Sequence, residues 1–337
     1  MGRGGPAARA GRRVRALSAP VRIGTCSWAD ETLTKTWYPS SVRTSEARLG
    51  HYAARFDTVE LNASYYALPS PDAAAAWARR TPPGFVFHVK AFGMMTRHPV
   101  KPEQLPPDLR DEAETDAKGR IERPSRDLRA EVFTRFRAAL EPLREAGKLG
   151  GILMQFPTYI TRKESSLEYL EWAKERLGGD EMMVEFRHRS WLEPEHADET
   201  LGFLRSLGAT YVMVDAPRTE ARNLVPTVVA TTSDTAYLRL HGRNAATWNV
   251  RGRSAAERFD YLYSPEELSE WSTPLRELSS LSERTYVMFN NNGRSAGPEG
   301  PIAQAPTNAE MLREILKADG VPVTDSQRSD PALPLRG

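Results

Sequence analysis

The chain has 337 residues, of which 40% are hydrophobic and 27% are charged. This length suits one barrel of about 250 residues with insertions and tails, and the composition is ordinary for a globular protein. No apolar run reaches the roughly 18 residues that a membrane span requires, so the sequence excludes a membrane-spanning helix.

The formal net charge of +2 is unevenly distributed, because the first 20 residues hold five arginines and no acid, which leaves −3 on the remainder. A nearly neutral body argues against an extended nucleic-acid groove, although a basic arm can add weak phosphate affinity. The arm has no apolar segment of the kind that secretory signals carry, and the single cysteine suits a reducing compartment. We therefore expect a cytoplasmic protein, whose oligomeric state the sequence leaves open.

Eight β-rich segments follow one another along the chain, and amphipathic helical patterns separate most of them. The predicted strands are residues 21–25, 58–62, 85–90, 151–156, 182–187, 210–215, 236–241 and 286–290. The predicted helices are residues 45–56, 72–80, 128–146, 165–177, 194–207, 265–281 and 308–317. Alternation of this kind is typical of a parallel sheet, and eight strands favour an α/β fold of the (β/α)8 TIM-barrel type. No dinucleotide or phosphate loop follows a strand, which disfavours a Rossmann fold.

The predicted domain organisation is simple. Residues 1–20 are expected to form a disordered basic arm, residues 21–317 the barrel, and residues 318–337 a flexible tail. Residues 99–126 are rich in proline and charge, so they are predicted to be a partly mobile surface excursion at the strand ends. No clear helix separates the sixth and seventh strands at residues 216–234.

Alternation within the strands predicts a polar barrel interior. In the second strand, Val59 and Leu61 should face the helices, so Glu60 and Asn62 should point inward. The same reasoning predicts more inward-facing side chains, namely His88, Lys90, Glu185, Arg187, Tyr211, Asp215, Arg239, His241 and Asn290.

Two interpretations explain so many polar groups in a barrel, whose interior is normally apolar. The acids and cations could neutralise each other in a closed network. Alternatively, they could open into a ligand cavity at the strand ends, where barrel enzymes place their reactive groups. We favour the cavity for most of them, with Glu185 and Arg239 open to solvent at its mouth. For the deeper His88 and Tyr237, we favour the closed network.

Seven motifs resemble, in order, those of the YecE-like family of domains of unknown function. They are residues 23–28 (IGTCSW), 59–62 (VELN) with Tyr65 and Tyr66, 87–90 (FHVK), 153–157 (LMQFP), 184–188 (VEFRH) with Trp191, 240–243 (LHGR) and 289–292 (FNNN). The resemblance runs from about Val21 to Lys317 and implies a TIM-type barrel with a site at the strand ends. Two features depart from the family pattern. Cys26 and Ser27 replace the usual Ser-Gly pair, and Asn292, followed by an insertion at residues 295–306, stands where a histidine is frequent.

Candidate site residues follow from the inward positions and the motifs together. The catalytic candidates are Glu60, Glu185, His188, Asp215 and His241. The substrate-binding candidates are Trp28, Asn62, Tyr65, Lys90, Gln155, Arg187, Trp191, Arg239, Asn290 and Asn291.

These residues favour an enzyme that acts on a small anionic substrate, either phosphorylated or nucleotide-like. Lys90, Arg187 and Arg239 could clamp the anion while an acid and a histidine transfer protons in hydrolysis or a related transfer. A nucleic-acid end is a weaker variant of the same hypothesis. For Cys26 we expect a packed thiol and not a nucleophile.

Three alternatives remain open at this point. A carbohydrate-active enzyme could use the carboxyl groups of Glu60 and Glu185, with aromatic side chains stacked on the sugar. A divalent metal could bind the acids, but histidines are few and cations share the interior, so no metal ligands are assigned. A protein that binds or senses a small anion without turnover is the third alternative.

Overall fold

The computed structural model describes residues 18–325 except 112, 249, 251–258 and 299. Most of the predicted N-terminal arm lies outside the described residues. The barrel strands are β1 (Val21–Thr25), β2 (Thr58–Leu61), β3 (Val86–Lys90), β4 (Leu149–Gln155), β5 (Met182–Glu185), β6 (Thr210–Asp215), β7 (Thr235–Leu240) and β8 (Arg284–Phe289).

These eight strands form a closed parallel barrel in chain order, with β1 paired to β8. The prediction of a (β/α)8 barrel is confirmed. The helices are α1 (Glu31–Thr36), α2 (Ser45–Ala53), α3 (Pro71–Arg79), α4 (Pro107–Arg110), α5 (Arg126–Ala139), α6 (Glu141–Glu145), α7 (Glu164–Leu177), α8 (Ala197–Leu207), α9 (Ala245–Trp248), α10 (Pro265–Ser269), α11 (Ser272–Leu281) and α12 (Gln304–Ala318). Across the described chain, no helix is long and apolar enough to cross a membrane.

Alternating strand residues separate two apolar clusters. The outer cluster lies between the strands and the helices and includes Val59, Val89 and Leu240. The inner cluster fills the barrel and consists of Cys26, Leu153, Met183, Val212, Tyr237, Tyr286 and Met288. The buried ring of His88 packs against Tyr237 and Tyr286 of this inner layer. The ionised side chains of the candidate site lie further toward the carboxyl ends of the strands.

The orientation of β6 differs from the prediction. Val212 belongs to the inner cluster, whereas Tyr211 belongs to the outer cluster. Asp215 lies opposite Leu240 in the β6–β7 register, so it faces outward like Leu240. The prediction that Tyr211 and Asp215 point into the barrel is therefore wrong. Both faces of this strand carry apolar residues, so its sequence alone does not determine which face points into the barrel.

Residues 99–126, as far as they are described, lie largely at the surface and are attached to the barrel by four buried side chains. The segment contains a short 3-10 helix at Pro102–Gln104 and helix α4, and Val100 pairs with Ile121. Val100, Leu105, Leu109 and Ile121 are buried in the outer cluster. The apolar residues between the prolines and charges thus attach the segment to the core.

The start and end of the described chain meet at β1. The amide of Val21 donates to the carbonyl of Pro322 at 2.8 Å, and the amide of Thr324 donates to the carbonyl of Val21 at 3.1 Å. Val321 is also buried. Residues 321–324, which lie within the predicted tail, therefore pack against β1. Residues 326–337 of the predicted tail lie outside the described residues.

Candidate functional site

A fully buried ion cluster lies in the upper part of the barrel interior. Arg239 donates from Nε to Oε2 of Glu60 at 2.9 Å and from Nη2 to Oε1 at 2.6 Å. The hydroxyl of Tyr237 also donates to Oε2 of Glu60, at 3.0 Å. The second terminal nitrogen of Arg239, Nη1, donates to Oε2 of Glu185. One guanidinium therefore binds two carboxylates, and all three charged side chains are at most 1% exposed.

A chain of hydrogen bonds continues upward from Glu185. Its Oε1 accepts from Nε2 of Gln155 at 2.7 Å and lies 3.1 Å from Nε2 of His241. The other ring nitrogen of His241, Nδ1, lies 2.8 Å from the side-chain nitrogen Nδ2 of Asn290. These contacts connect the buried cluster to side chains that line a cavity above it.

Burial and charge decide the protonation of this cluster. Burial alone would raise the pKa of Glu185, but Arg239 and His241 outweigh it and hold the pKa well below its ordinary value. Burial lowers the pKa of His241 to about 4 even though Glu185 favours the charged ring. At neutral pH, Glu185 is therefore ionised and His241 is neutral.

A cavity of about 590 Å³ opens above the cluster, at the carboxyl ends of the strands. Six of the predicted site residues line it, namely Asn62, Tyr65, Lys90, Gln155, Arg187 and Asn290. Glu60, Glu185, Arg239 and His241 lie beneath its floor and do not line it. The expectation that Glu185 and Arg239 open to solvent is therefore wrong, because Arg239 is enclosed between its two carboxylates.

Lys90 is the cation at the floor of this cavity. Its Nζ donates to Oε1 of Gln155 at 2.8 Å and lies 4.8 Å from the ring centroid of Tyr65. Within the described parts of the chain, Lys90 forms no ion pair with a carboxylate. Burial, assisted by the charge of Arg239, lowers the pKa of Lys90 to about 8. Lys90 is thus mostly charged at neutral pH, with neutral groups as its direct contacts.

Arg187 supplies a second cation to the wall of the cavity, and its guanidinium lies 5.3 Å from the ring centroid of Trp248. Cys26 lies at the floor, with its sulfur 3.7 Å from Nη2 of Arg239. Burial, followed by the charge of Glu60, raises the pKa of this thiol. A neutral, packed thiol is what the sequence predicted at Cys26.

Asp30 is a cavity residue that sequence reasoning missed. It caps helix α1, where its Oδ1 accepts from the amide of Leu33 at 2.9 Å. Its Oδ2 is buried and has no hydrogen-bond partner among the described residues. Burial raises the pKa of Asp30 to about 6. An aspartate three residues before a helical leucine is a recognisable capping signal, and it could have located this residue after the first strand.

His98 is the second missed residue of the cavity. It follows a short 3-10 helix, Gly93–Thr96, after β3. Its Nδ1 lies 2.8 Å from the hydroxyl of Thr96, and its ring packs edge-on against Tyr65. Burial and the charges of Lys90 and Arg187 lower the pKa of His98 to about 3. No strand alternation covers this segment, so the sequence held no comparable signal.

The remaining predicted site residues lie away from the cavity lining. Trp28 packs edge-on against Trp77 and Phe87 in the outer layer. Trp191 stacks on Phe186 and donates to the carbonyl of Ile160 at 2.8 Å. Both tryptophans are buried packing residues in this structure.

Three polar candidates also lie elsewhere. Nδ1 of His188 contacts Ser190 at 2.9 Å. The amide of Asn291 donates to the carbonyl of Tyr261 and to Asn308. Asp215 binds Arg243 and accepts from Nε1 of Trp271 at 2.9 Å, on the outer side of the barrel. These contacts are with residues outside the cavity, and none of the three side chains lines it.

The insertion after Asn292 forms an antiparallel hairpin, β9 (Arg294–Gly297) and β10 (Gly300–Ala303). Asn292 itself lines the cavity. Among the residues that the structure describes, no group of three or more His, Cys, Asp or Glu side chains could hold a metal ion.

Comparisons with known proteins agree with the barrel. The family model described as "Protein of unknown function DUF72" matches residues 22–332. The UPF0759 protein YunF of Bacillus subtilis (strain 168) is 33% identical over 300 residues, which are 88% of this chain and 94% of YunF.

Two crystal structures of DUF72 family proteins resemble this chain along most of its length. The protein from Thermotoga maritima MSB8 is 34% identical with a TM-score of 0.67, covering 88% of this chain and 99% of that one. The protein from Enterococcus faecalis V583 is 24% identical with a TM-score of 0.69, covering 88% and 95%. Because the family model spans nearly the whole barrel and YunF is similar throughout, this chain belongs to the DUF72 family.

Proposed function

We propose that this protein is a hydrolase-like enzyme that binds a small anionic substrate, phosphorylated or nucleotide-like, in the cavity at the strand ends. Lys90 and Arg187 hold the anion, and Asn62, Gln155 and Asn290 supply neutral hydrogen-bonding groups around it. We also propose that the protein belongs to the YecE-like group and that it is located in the cytoplasm. The location rests on the single cysteine, which suits a reducing compartment.

The observation that carries this proposal is the environment of Lys90. Lys90 is partly exposed and lines the cavity, so its ammonium group is accessible to a ligand. Here its direct contacts are the amide of Gln155 and the ring of Tyr65, neither of which carries a negative charge. The two nearby acids, Glu60 and Glu185, are both bound to Arg239. The ammonium group of Lys90 has three N–H donors, and its hydrogen bond to Gln155 uses one of them, so a negative group of a ligand can accept charge-assisted hydrogen bonds from the others.

The geometry disfavours the carbohydrate-active alternative. A glycosidase needs two carboxyl groups that reach the scissile bond. Glu60 and Glu185 are 0% exposed, and Arg239 occupies the space between them. Neither carboxylate can contact a sugar in the cavity while this ion cluster is intact.

Calorimetric titration with inorganic phosphate tests the proposed site. We expect Lys90→Met to weaken phosphate binding at least tenfold, about 1.4 kcal/mol, because it removes a charge-assisted hydrogen bond. Lys317→Met is the matched control, since Lys317 lies on α12, pairs with Glu314 and Asp325, and does not line the cavity. Equal binding by both variants and the wild type, or no binding by any of them, would contradict the proposal.

A turnover assay then separates an enzyme from a sensor of anions. Phosphate monoesters and nucleotides, incubated with the full chain, should release product at a rate that Lys90→Met lowers. A protein that binds these compounds tightly but leaves them all unchanged is a non-catalytic binder instead.

A further inference from the structure

The proposed reaction needs a proton acceptor in the cavity. Of the acids predicted for that role, Glu60 and Glu185 are buried in the ion cluster and Asp215 lies on the outer side of the barrel. We propose that His98 is this acceptor, acting through Nε2 and oriented by Thr96. This inference rests on the proposed function, because it assigns a role within the same cavity.

The backbone brings His98 to the cavity wall. Arg97 adopts a left-handed conformation with φ of 63°, which turns the chain at the end of the 3-10 helix. After this turn, the amide of His98 donates to the carbonyl of Gly93 at 2.9 Å. His98 thereby lines the same cavity as Lys90 and Arg187.

The hydroxyl of Thr96 lies 3.1 Å from the carbonyl oxygen of Gly93 and 2.8 Å from Nδ1 of His98. We assign its one hydrogen to the carbonyl, which only accepts. In this arrangement the hydroxyl oxygen accepts from the ring, and Nδ1 carries the proton. Nε2 of the neutral ring is left with a lone pair, which is the group that a general base uses.

The charges around His98 keep the ring neutral until a ligand arrives. Burial, Lys90 and Arg187 disfavour the imidazolium, and Tyr65 is the ionisable group that packs against the ring. An anion held by Lys90 and Arg187 places negative charge close to the same ring. Because an opposite charge favours the protonated form, ligand binding strengthens Nε2 as a base.

In the hydrolysis of a phosphate ester, Nε2 takes one proton from the attacking water while the water oxygen forms a bond to phosphorus. The bond from phosphorus to the leaving oxygen breaks on the opposite side, and that oxygen keeps the electron pair. The leaving oxygen takes a proton from solvent at the open mouth of the cavity, and His98 releases its proton to solvent, so the products are the alcohol and phosphate.

Imidazole ¹⁵N NMR of the full chain tests the assignment, with His98→Gln used to identify the resonances. We expect a neutral ring with Nδ1 protonated at pH 7, and a rise in the pKa of His98 by about 1 or more when phosphate is added. His51 is the internal control, because it lies on α2 against Trp37 and should not respond to phosphate.

A pair of Thr96 variants tests the orientation. Thr96→Val removes the hydroxyl and should allow the Nε2-protonated tautomer, whereas Thr96→Ser keeps the hydroxyl and should retain the wild-type spectrum. An Nε2-protonated ring in the wild type overturns the assignment. If calorimetry shows phosphate bound while His98 does not respond, this inference fails and the proposed anion site stands. If phosphate does not bind the wild type at all, both fail.

Discussion

Arg239 binds both carboxylate oxygens of Glu60 through two hydrogen bonds, of 2.9 and 2.6 Å, and uses its remaining terminal nitrogen for Glu185. The barrel interior therefore has two polar layers with different roles. The lower layer is a closed ion cluster, and the upper layer lines a cavity whose floor cation, Lys90, contacts neutral groups. Stability should depend on the lower layer and ligand binding on the upper one.

Replacing Arg239 should strongly destabilise the fold. Arg239→Met leaves the carboxylates of Glu60 and Glu185 buried without their cation, so we expect a loss of about 3 to 5 kcal/mol in the free energy of unfolding. Urea denaturation followed by fluorescence measures this. Lys90→Met is the control, because it removes a hydrogen bond but unpairs no carboxylate, and should cost about 1 kcal/mol. Equal losses in the two variants would show that the cluster has no special role in stability.

Strand alternation predicted much of this arrangement and failed for identifiable reasons. It placed Glu60, Lys90 and Arg239 correctly inside the barrel, because apolar residues flank each of them in sequence. It misplaced Asp215, since β6 reads Tyr-Val-Met-Val and offers no contrast between its two faces. Register against Leu240 decides that orientation, and register is a property of the folded barrel.

Strand alternation predicts whether a side chain faces the barrel interior, but it does not predict the height of that side chain along the barrel axis. Arg239 and Lys90 both point inward, but one is enclosed by two acids and the other reaches the cavity. Which pairs form depends on the heights of neighbouring strands. Asp30 and His98 were missed because they lie on segments after strands, where no periodic pattern reports orientation.

Asp30 should make the stability of the wild type depend on pH. Its pKa is raised from 3.8 to about 6, so the folded state binds this proton more tightly than the unfolded state does. The resulting stabilisation is complete below pH 3.8 and is lost as the pH rises through about 6. Asp30→Asn can still cap α1, and we expect it to be more stable than the wild type by about 1 to 3 kcal/mol at pH 8.

The same comparison at low pH is the check on Asp30. Urea denaturation at pH 4 should give nearly equal free energies of unfolding for wild type and Asp30→Asn, because the carboxyl group is then protonated in the folded state. An advantage of the same size at both pH values would show that the gain does not come from ionisation of Asp30.

Anion binding should weaken above pH 8. The pKa of Lys90 is lowered to about 8, so its charge is lost between pH 7 and pH 9. We expect the affinity for sulfate, whose own charge is constant in this range, to fall about tenfold over that interval. Lys90→Arg stays charged and should show a much smaller change. Identical pH profiles for the two proteins would exclude Lys90 as the titrating group.

Gly150 should tolerate no side chain. A Cβ at this position would lie 2.4 Å from Cγ1 of Val86 and 2.5 Å from Cε1 of the buried His88. We expect Gly150→Ala to lower the free energy of unfolding by about 1 to 3 kcal/mol through overpacking. Gly202→Ala is the matched control on helix α8, where nothing lies within 4 Å, and it should stabilise by up to about 1 kcal/mol. Thermal denaturation of both variants measures the contrast.

The pairing of β1 bears on how the protein is made. β1 pairs with β8 from Val21 to Thr25, and Val21 also bonds to Pro322 and Thr324. A ribosome synthesises β1 before the other strands and β8 after them, so a nascent chain carries one edge of its sheet unpaired until β8 has been made. Barrel closure must therefore wait for β8 to leave the ribosome, and products terminated before β8 should be prone to aggregate through that open edge.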